Sequence, residues 1–235
     1  MVLIAGMDIT ELIGQLVIYM VVLLMAVSCH EAAHAWMSHK FGDDTALMMG
    51  RVTLNPVKHT DPIGTLLIPI LGFVLAAAGG GLARIPLIGW GIPTPVNPRN
   101  WSNYKLANVM VSIAGIGANL IIAIVSFAIA KTMLETGVFD NQAFVEGIGR
   151  PIGILLDKLI FLNVSLAVFN LLPFPPLDGS KVLGTFLPHS AQPIVEILEQ
   201  YGFLILLVLM YMGVLGMIML PFRLLVEYLL YTPWF

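Results

Sequence analysis

The sequence predicts an all-α polytopic membrane protein, a helix bundle of about four to six transmembrane segments with short membrane-associated β or extended segments. Three observations carry that prediction. The 235-residue chain is 58% hydrophobic and only 11% charged, whereas soluble domains carry roughly 25% charged residues. Its mean hydropathy is +0.93. Its apolar residues fall in long runs separated by polar or Gly/Pro-rich connections. Such a chain cannot cover a water-facing surface, so lipid is its solvent. The net charge of −3 comes without any Lys/Arg-rich run, which removes the electrostatic footprint expected of nucleic-acid binding. Cys29 is the single cysteine and excludes an intrachain disulfide.

The first apolar run extends from about Ile9 to Phe41. The residues before it, MVLIAGMD, lack the basic region and small-residue cleavage site of a signal peptide, so the run is read as retained. The second, about Ile63 to Ala78, is short and contains Pro69; it is either a short span or a re-entrant segment. Residues 42–61 before it are polar and mixed, with some β character in RVTLNP. Residues 79–100, GGGLARIPLIGWGIPTPVNPRN, cannot be helical across GIPTPVNP, because Pro93, Pro95 and Pro98 remove donors and push their predecessors extended. The third run, about Tyr104 to Thr132, clearly crosses. The fourth, about Ile152 to Leu187, is interrupted by PFPP, and the fifth, about Ile194 to Leu230, carries Pro221 near its end. One domain is expected over 1–235, with its core at about 9–187 and a C-terminal helix or helices at 194–230.

The stretch SCHEAAHAW ends the first run. His30 and His34 are four residues apart, which on a helix places both imidazoles on one face where they can share a tetrahedral metal. Glu31 lies about 100° further round, beside that face, and suits a carboxylate that takes a proton during metal-assisted hydrolysis. Ionisable groups in a membrane span cost about 2.5–3.5 kcal/mol each on insertion scales, so three of them are kept only with partners. A catalytic zinc takes three protein ligands and one open position. His59, Asp61 and His189 flank spans, and Asp157 and Lys158 can pair or reach the interface. Asp178 differs, because it follows the Pro-broken segment FNLLPFPPLDG inside the fourth run. Broken backbone in lipid must face protein or a water-filled cavity, and a carboxylate there is a good zinc ligand beside two imidazoles.

HEAAH followed far downstream by NLLPFPPLDG resembles the site-2 protease family of intramembrane zinc metalloproteases, whose signatures are H-E-x-x-H and N-x-x-P-x-x-P-L-D-G. Asn170, Pro173, Pro176, Leu177, Asp178 and Gly179 match the second in register. AGIGAN at 114–119 is similar to the family's A-G-P-x-x-N, with Ile116 in place of the Pro, and Ser180 replaces a Gly often found after Asp-Gly. GRVTLNPVKHTDPIG and GWGIPTPVNPRN look like a small bacterial branch without extra regulatory domains. The resemblance implies one Zn2+ held by His30, His34 and Asp178, and Glu31 as general base and later acid. It implies Asn170 facing the metal and bonding the substrate carbonyl or oxyanion. Asn119 is a weaker substrate-binding candidate, with an interhelical hydrogen bond as its alternative. The implied activity is peptide-bond hydrolysis in or near transmembrane segments of membrane-protein substrates, in a multi-pass protein of the bacterial cytoplasmic membrane.

If His34 and Asp178 meet one ion, the first and fourth runs lie parallel. The second must then be re-entrant, or the chain must return through residues 82–100, with part of that segment entering the membrane near the site. Two extended stretches could then hold an unwound substrate by strand addition: Arg51, Val52, Thr53 and Leu54, and Ile92, Pro93, Thr94, Pro95 and Val96. The rival function is an ion or metal transporter using the same intramembrane His, Glu and Asp.

Overall fold

The computed structural model describes residues 8–78 and 89–233. Helix α1 is Ile9–Lys40. A π-helical turn, Pro62–Leu67, leads into α2, Ile68–Ala78. Helices α3, Tyr104–Glu135, and α4, Arg150–Leu171, complete the central layer. The short α5 is Asp178–Gly184, and α6, Gln192–Tyr211, and α7, Val214–Tyr231, follow. Among the described residues five helices are long and apolar enough to cross a membrane: Ile9–Lys40, Tyr104–Glu135, Gln142–Leu171, Gln192–Tyr211 and Val214–Tyr231. No β-strand occurs among the described residues; Val52 and Thr53 form bends, and residues 89–97 form neither helix nor ladder. Residues 82–88 of the predicted returning segment, and the side chain of His189, lie outside the described residues.

Local chemistry explains where the helices start and stop. Asn103 caps α3 by accepting from the Leu106 N–H at 3.1 Å. Asp61 caps the π turn, accepting from the N–H groups of Ile63 at 2.9 Å and Gly64 at 2.6 Å. Helix α1 ends with His39 and Lys40 in its last turn, where cations complement the helix dipole. Gly42 follows with φ +100°, a conformation that L side chains rarely adopt. Helix α4 stops at Leu171, two residues before Pro173, the first proline of PFPP.

The bundle is arranged inside out relative to a soluble protein. On α1, Ile9, Ile13, Val17, Val21 and Met25 form an exposed stripe at four-residue spacing, and this face meets lipid. The buried face instead carries Ala26, Ser28, His30, Ala32, His34, Ala35 and Ser38. Most buried positions of α3 are similarly small or polar, including Ala107, Ser112, Gly115, Asn119 and Ala123, with Val111 and Ile116 as the larger apolar ones. Lipid tails are as apolar as Leu, so helices associate through close packing of small residues and through hydrogen bonds.

Pairwise contacts fix the helix directions. On α3, Val111 meets His34 while Asn119 meets His30 and Ala26, so α1 and α3 are antiparallel. Asn119 meets Asn163, and Ala130 packs with Leu156 and Ile160, so α3 and α4 are antiparallel. Helices α1 and α4 are therefore parallel, the relation that a shared ligand set requires. The segment between α1 and α3 enters and leaves at one level: Ile92 N–H donates to His59 O at 2.9 Å, and Trp90 N–H to Gly64 O at 3.2 Å. Between these points α2 runs back along α1, with Phe73 stacked on Tyr19 at 6.0 Å. At the far end of the bundle Lys131 Nζ donates to Leu230 O at 3.1 Å and Thr232 O at 2.6 Å, tying the end of α7 to α3.

A buried carboxylate just past α1 anchors the returning segment. Asp43 has no exposed surface. Its Oδ2 accepts from Ser38 Oγ at 3.0 Å and Asn97 N–H at 2.7 Å, and its Oδ1 accepts from Asn100 Nδ2 at 3.0 Å and the Thr45 hydroxyl at 2.5 Å. Burial alone would raise its pKa, but hydrogen bonds from Thr45, Asn97 and Asn100 outweigh that and hold it down to about 2. A carboxyl depressed in the folded state contributes stability above its unfolded pKa of about 3.8, and that stability is lost as pH falls through about 2. Thermal unfolding of the detergent-solubilised chain is expected to drop between those pH values. The drop should be shallower in Asp43→Asn, which should also be less stable at pH 7 by about 1–3 kcal/mol.

Candidate metal centre

Three residues from two elements distant in sequence meet at one point. Helix α1 presents His30 and His34 one turn apart, and α5 opens with Asp178. His30 Nε2 and His34 Nε2 are 2.9 Å apart, and each is 3.1 Å from Asp178 Oδ2. The imidazole rings stand at 86° to each other. The three residues are only 9%, 7% and 5% exposed.

The hydrogen bonds behind the rings decide what these atoms can do. His34 Nδ1 lies 2.6 Å from Val111 O. A main-chain carbonyl can only accept, so Nδ1 carries a proton, and in the neutral ring Nε2 then bears the lone pair. His30 Nδ1 lies 2.7 Å from Asn119 Oδ1, with the same consequence for its Nε2. With both rings neutral, two imidazole lone pairs and a carboxylate oxygen converge on one point. That arrangement is repulsive unless a cation sits among them, and the donor set of two His and one Asp suits a zinc ion. The residues present fit the metal.

The shape of the backbone permits this convergence. A Cβ on Gly115 would sit 2.6 Å from both His30 Cε1 and His34 Nε2, so α3 can back the imidazoles only where it has no side chain. Gly179 plays a similar part for Asp178, because a Cβ there would collide with the Leu171 and Leu172 carbonyls at the end of α4. Asn108 Nδ2 donates to Lys181 O at 3.0 Å and Thr185 Oγ1 at 2.7 Å, lashing α5 to α3. Lys181 Nζ donates to Asp178 Oδ1 at 2.9 Å, which leaves Oδ2 for the cluster.

Glu31 stands beside the cluster and faces a cavity of about 480 Å³, lined among others by Tyr19, Val27, His30, Trp90 and Phe169. Thr94 grips it twice: the Thr94 N–H donates to Glu31 Oε2 at 2.7 Å, and the Thr94 hydroxyl to the Glu31 main-chain carbonyl at 2.8 Å. Part of the Gly/Pro segment therefore does pass the site.

The other predicted residues fall in different places. Asn170 lines the cavity, and its Nδ2 donates to Leu166 O of its own helix at 3.0 Å. Asn119, weighed as a substrate contact, is fully buried behind His30 and holds that ring, so its amide does not reach the cavity. Arg51, Val52, Thr53 and Leu54 do not line the cavity either; Thr53 O instead receives His59 Nε2 at 2.9 Å, and Arg51 donates to Lys58 O. Of Ile92, Pro93, Thr94, Pro95 and Val96, Thr94 touches Glu31, Ile92 bonds His59 O, and Val96 packs on the Trp101 cluster. Gly89, Trp90 and Gly91, in the segment expected to pass near the site but not named there, line the cavity. Asn163, also unanticipated, bonds Asn119 at 2.8 Å; an Asn two turns before Asn170 in an apolar helix was the available signal.

Residues 18–212 match the family model described as peptidase family M50. The chain belongs to peptidase family M50. It is 41% identical over 192 residues to YwhC of Bacillus subtilis, assigned by name as a zinc metalloprotease, covering 81% of this chain and 79% of that protein. It is 31% and 29% identical to proteins of Mycolicibacterium smegmatis and Mycobacterium tuberculosis, each named Rip2 and likewise assigned. Those alignments cover 80% and 79% of this chain but only 64% and 63% of the mycobacterial proteins. No solved structure matches it. This M50 chain is an intramembrane zinc metalloprotease with five candidate spans, the class that HEAAH and NLLPFPPLDG implied. Nothing in the comparisons favours the transport alternative.

Proposed function

We propose that His30, His34 and Asp178 hold a single zinc ion and that Glu31 is the proton-transferring carboxylate of a protease acting on transmembrane segments of other membrane proteins. The observation that carries the reading is the meeting of one donor atom each from His30, His34 and Asp178 beside Glu31 at the cavity wall. A zinc ion bound there supplies Lewis acidity, polarising the scissile carbonyl and making water easier to deprotonate. Glu31 accepts the proton from the attacking water and later delivers it to the leaving amine. Thr94 fixes Oε2 of that carboxylate, leaving Oε1 for the proton. Asn170, on the cavity wall, offers its amide to the substrate carbonyl as charge develops. Trp90, Phe169 and Val27 keep the rest of the chamber apolar, which suits the side chains of a lipid-spanning substrate. The relatives are bacterial, and we place the protein in the bacterial cytoplasmic membrane.

Metal analysis with a cleavage assay tests this reading. Wild type purified in detergent should carry one zinc per chain and cut a model transmembrane substrate, with both properties lost to a strong chelator. Asp178→Ala should remove one of three protein ligands and lose tight zinc binding together with cleavage. Stoichiometric, tightly held zinc in that variant would sink the ligand set.

A further inference from the structure

We propose that Asn163 is a positioning residue for the metal centre, acting through Asn119 to set the tautomer and aim of the His30 imidazole. The proposal rests on His30 being a metal ligand.

Each polarity in the relay follows from the one before it. Leu159 O is a main-chain carbonyl and can only accept. It lies 2.8 Å from Asn163 Nδ2, so the Asn163 amide turns its NH2 back onto its own helix. Asn163 Oδ1 is thereby aimed at Asn119, whose Nδ2 donates to it at 2.8 Å. The same NH2 group points toward Ala26 O at 3.4 Å. Asn119 Oδ1 is left facing His30 Nδ1 at 2.7 Å. That oxygen demands a proton on Nδ1, and a neutral imidazole with its proton there bears its lone pair at Nε2. A carbonyl on α4 thus dictates, through two amides, which nitrogen of His30 is free for a cation.

Burial makes the relay obligatory. Asn119 and Asn163 have no exposed surface, so bulk solvent does not take over a missing bond. Without the Asn163 oxygen, only the long 3.4 Å contact to Ala26 O holds the Asn119 NH2 away from His30. A flipped Asn119 would present two N–H hydrogens to Nδ1 and favour the tautomer protonated at Nε2. His34 needs no such relay, because Val111 O meets its Nδ1 directly. Partners that orient a ligating imidazole from behind typically affect metal affinity about 10–100-fold.

The test is zinc affinity of the full-length chain in detergent, measured by competition with a chromogenic chelator. Asn163→Leu is isosteric but offers Asn119 no acceptor, and it should bind zinc about tenfold more weakly or worse. Asn163→Asp keeps an acceptor oxygen and should stay within about threefold of wild type. A merely packing role predicts the reverse order, since a buried Leu is tolerated where an unpaired carboxylate is not. In an Asn119→Ala background, Asn163→Leu should add no further loss, because both act along one path. Lys131→Met, which cuts a buried interhelical bond at the other end of α3, should leave affinity unchanged. Wild-type affinity in Asn163→Leu, or equal losses in the Leu and Asp variants, would overturn the proposal. If Asn163→Leu gives no folded chain, Asn163→Val carries the same expectation. Absence of zinc from wild type would defeat the ligand reading itself; zinc held equally well by wild type and Asn163→Leu would defeat only the relay.

Discussion

Glu31→Gln is expected to abolish cleavage while leaving zinc bound. Gln is isosteric with Glu, and its amide oxygen can still accept the Thr94 N–H that now meets Oε2 at 2.7 Å. The side chain should therefore keep its place on the cavity wall. What disappears is the capacity to take and return a proton, which in general acid–base catalysis accounts for about 10²–10⁴ in rate. None of the three converging donor atoms belongs to Glu31, so metal content should match wild type. The measurement is turnover of a model transmembrane substrate alongside zinc per chain. Undiminished turnover at full zinc occupancy would remove Glu31 from the chemistry.

Gly115→Ala should be almost as damaging, by a different route. The new methyl would lie 2.6 Å from His30 Cε1 and His34 Nε2 and 2.7 Å from His30 Nδ1, far inside van der Waals contact. Neither ring can retreat without breaking its bond to Asn119 or to Val111 O. The rings must swing out of alignment, and zinc affinity should fall by about a hundredfold or more. The helix itself gains, since Ala exceeds Gly in helix propensity by about 1 kcal/mol, so the metal-free chain should still fold. Gly117→Ala is the internal control, because nothing lies within 4 Å of the position its Cβ would take. Zinc titration and thermal unfolding of both variants check this. Equal zinc affinity in Gly115→Ala and wild type would show that the packing of α3 against the rings does not constrain the site.

Much of the site was legible because its signals are local. HEAAH needs only helical periodicity to place two imidazoles on one face, and PFPPLDG needs only proline's missing N–H to break a helix before Asp178. The parallel course of the first and fourth runs followed from requiring both to reach one ion. Asn119 was harder, because a lone Asn in an apolar helix reads equally well as a substrate contact or as a bond between helices. The strand-like character of RVTLNP misled, because the segment bends back and lends Thr53 O to His59. Trp90 carried no ligand or proton chemistry that a motif search would weigh.

The amino-acid order by itself determined that this protein lives in lipid and that two imidazoles share a helix face with Glu31 beside them. Those properties depend on composition and on spacing within a helical turn, whereas Asp178 joined them through the motif NLLPFPPLDG. Tertiary structure decided how the donors are held: Asn119 behind His30 across 89 residues, Thr94 on Glu31 across 63, and Asn97 on Asp43 across 54. The physical reason is the geometry of hydrogen bonds. A bond forms when a donor comes within about 3 Å of an acceptor at a workable angle, and no periodicity in a sequence specifies which helices will bring two such atoms together.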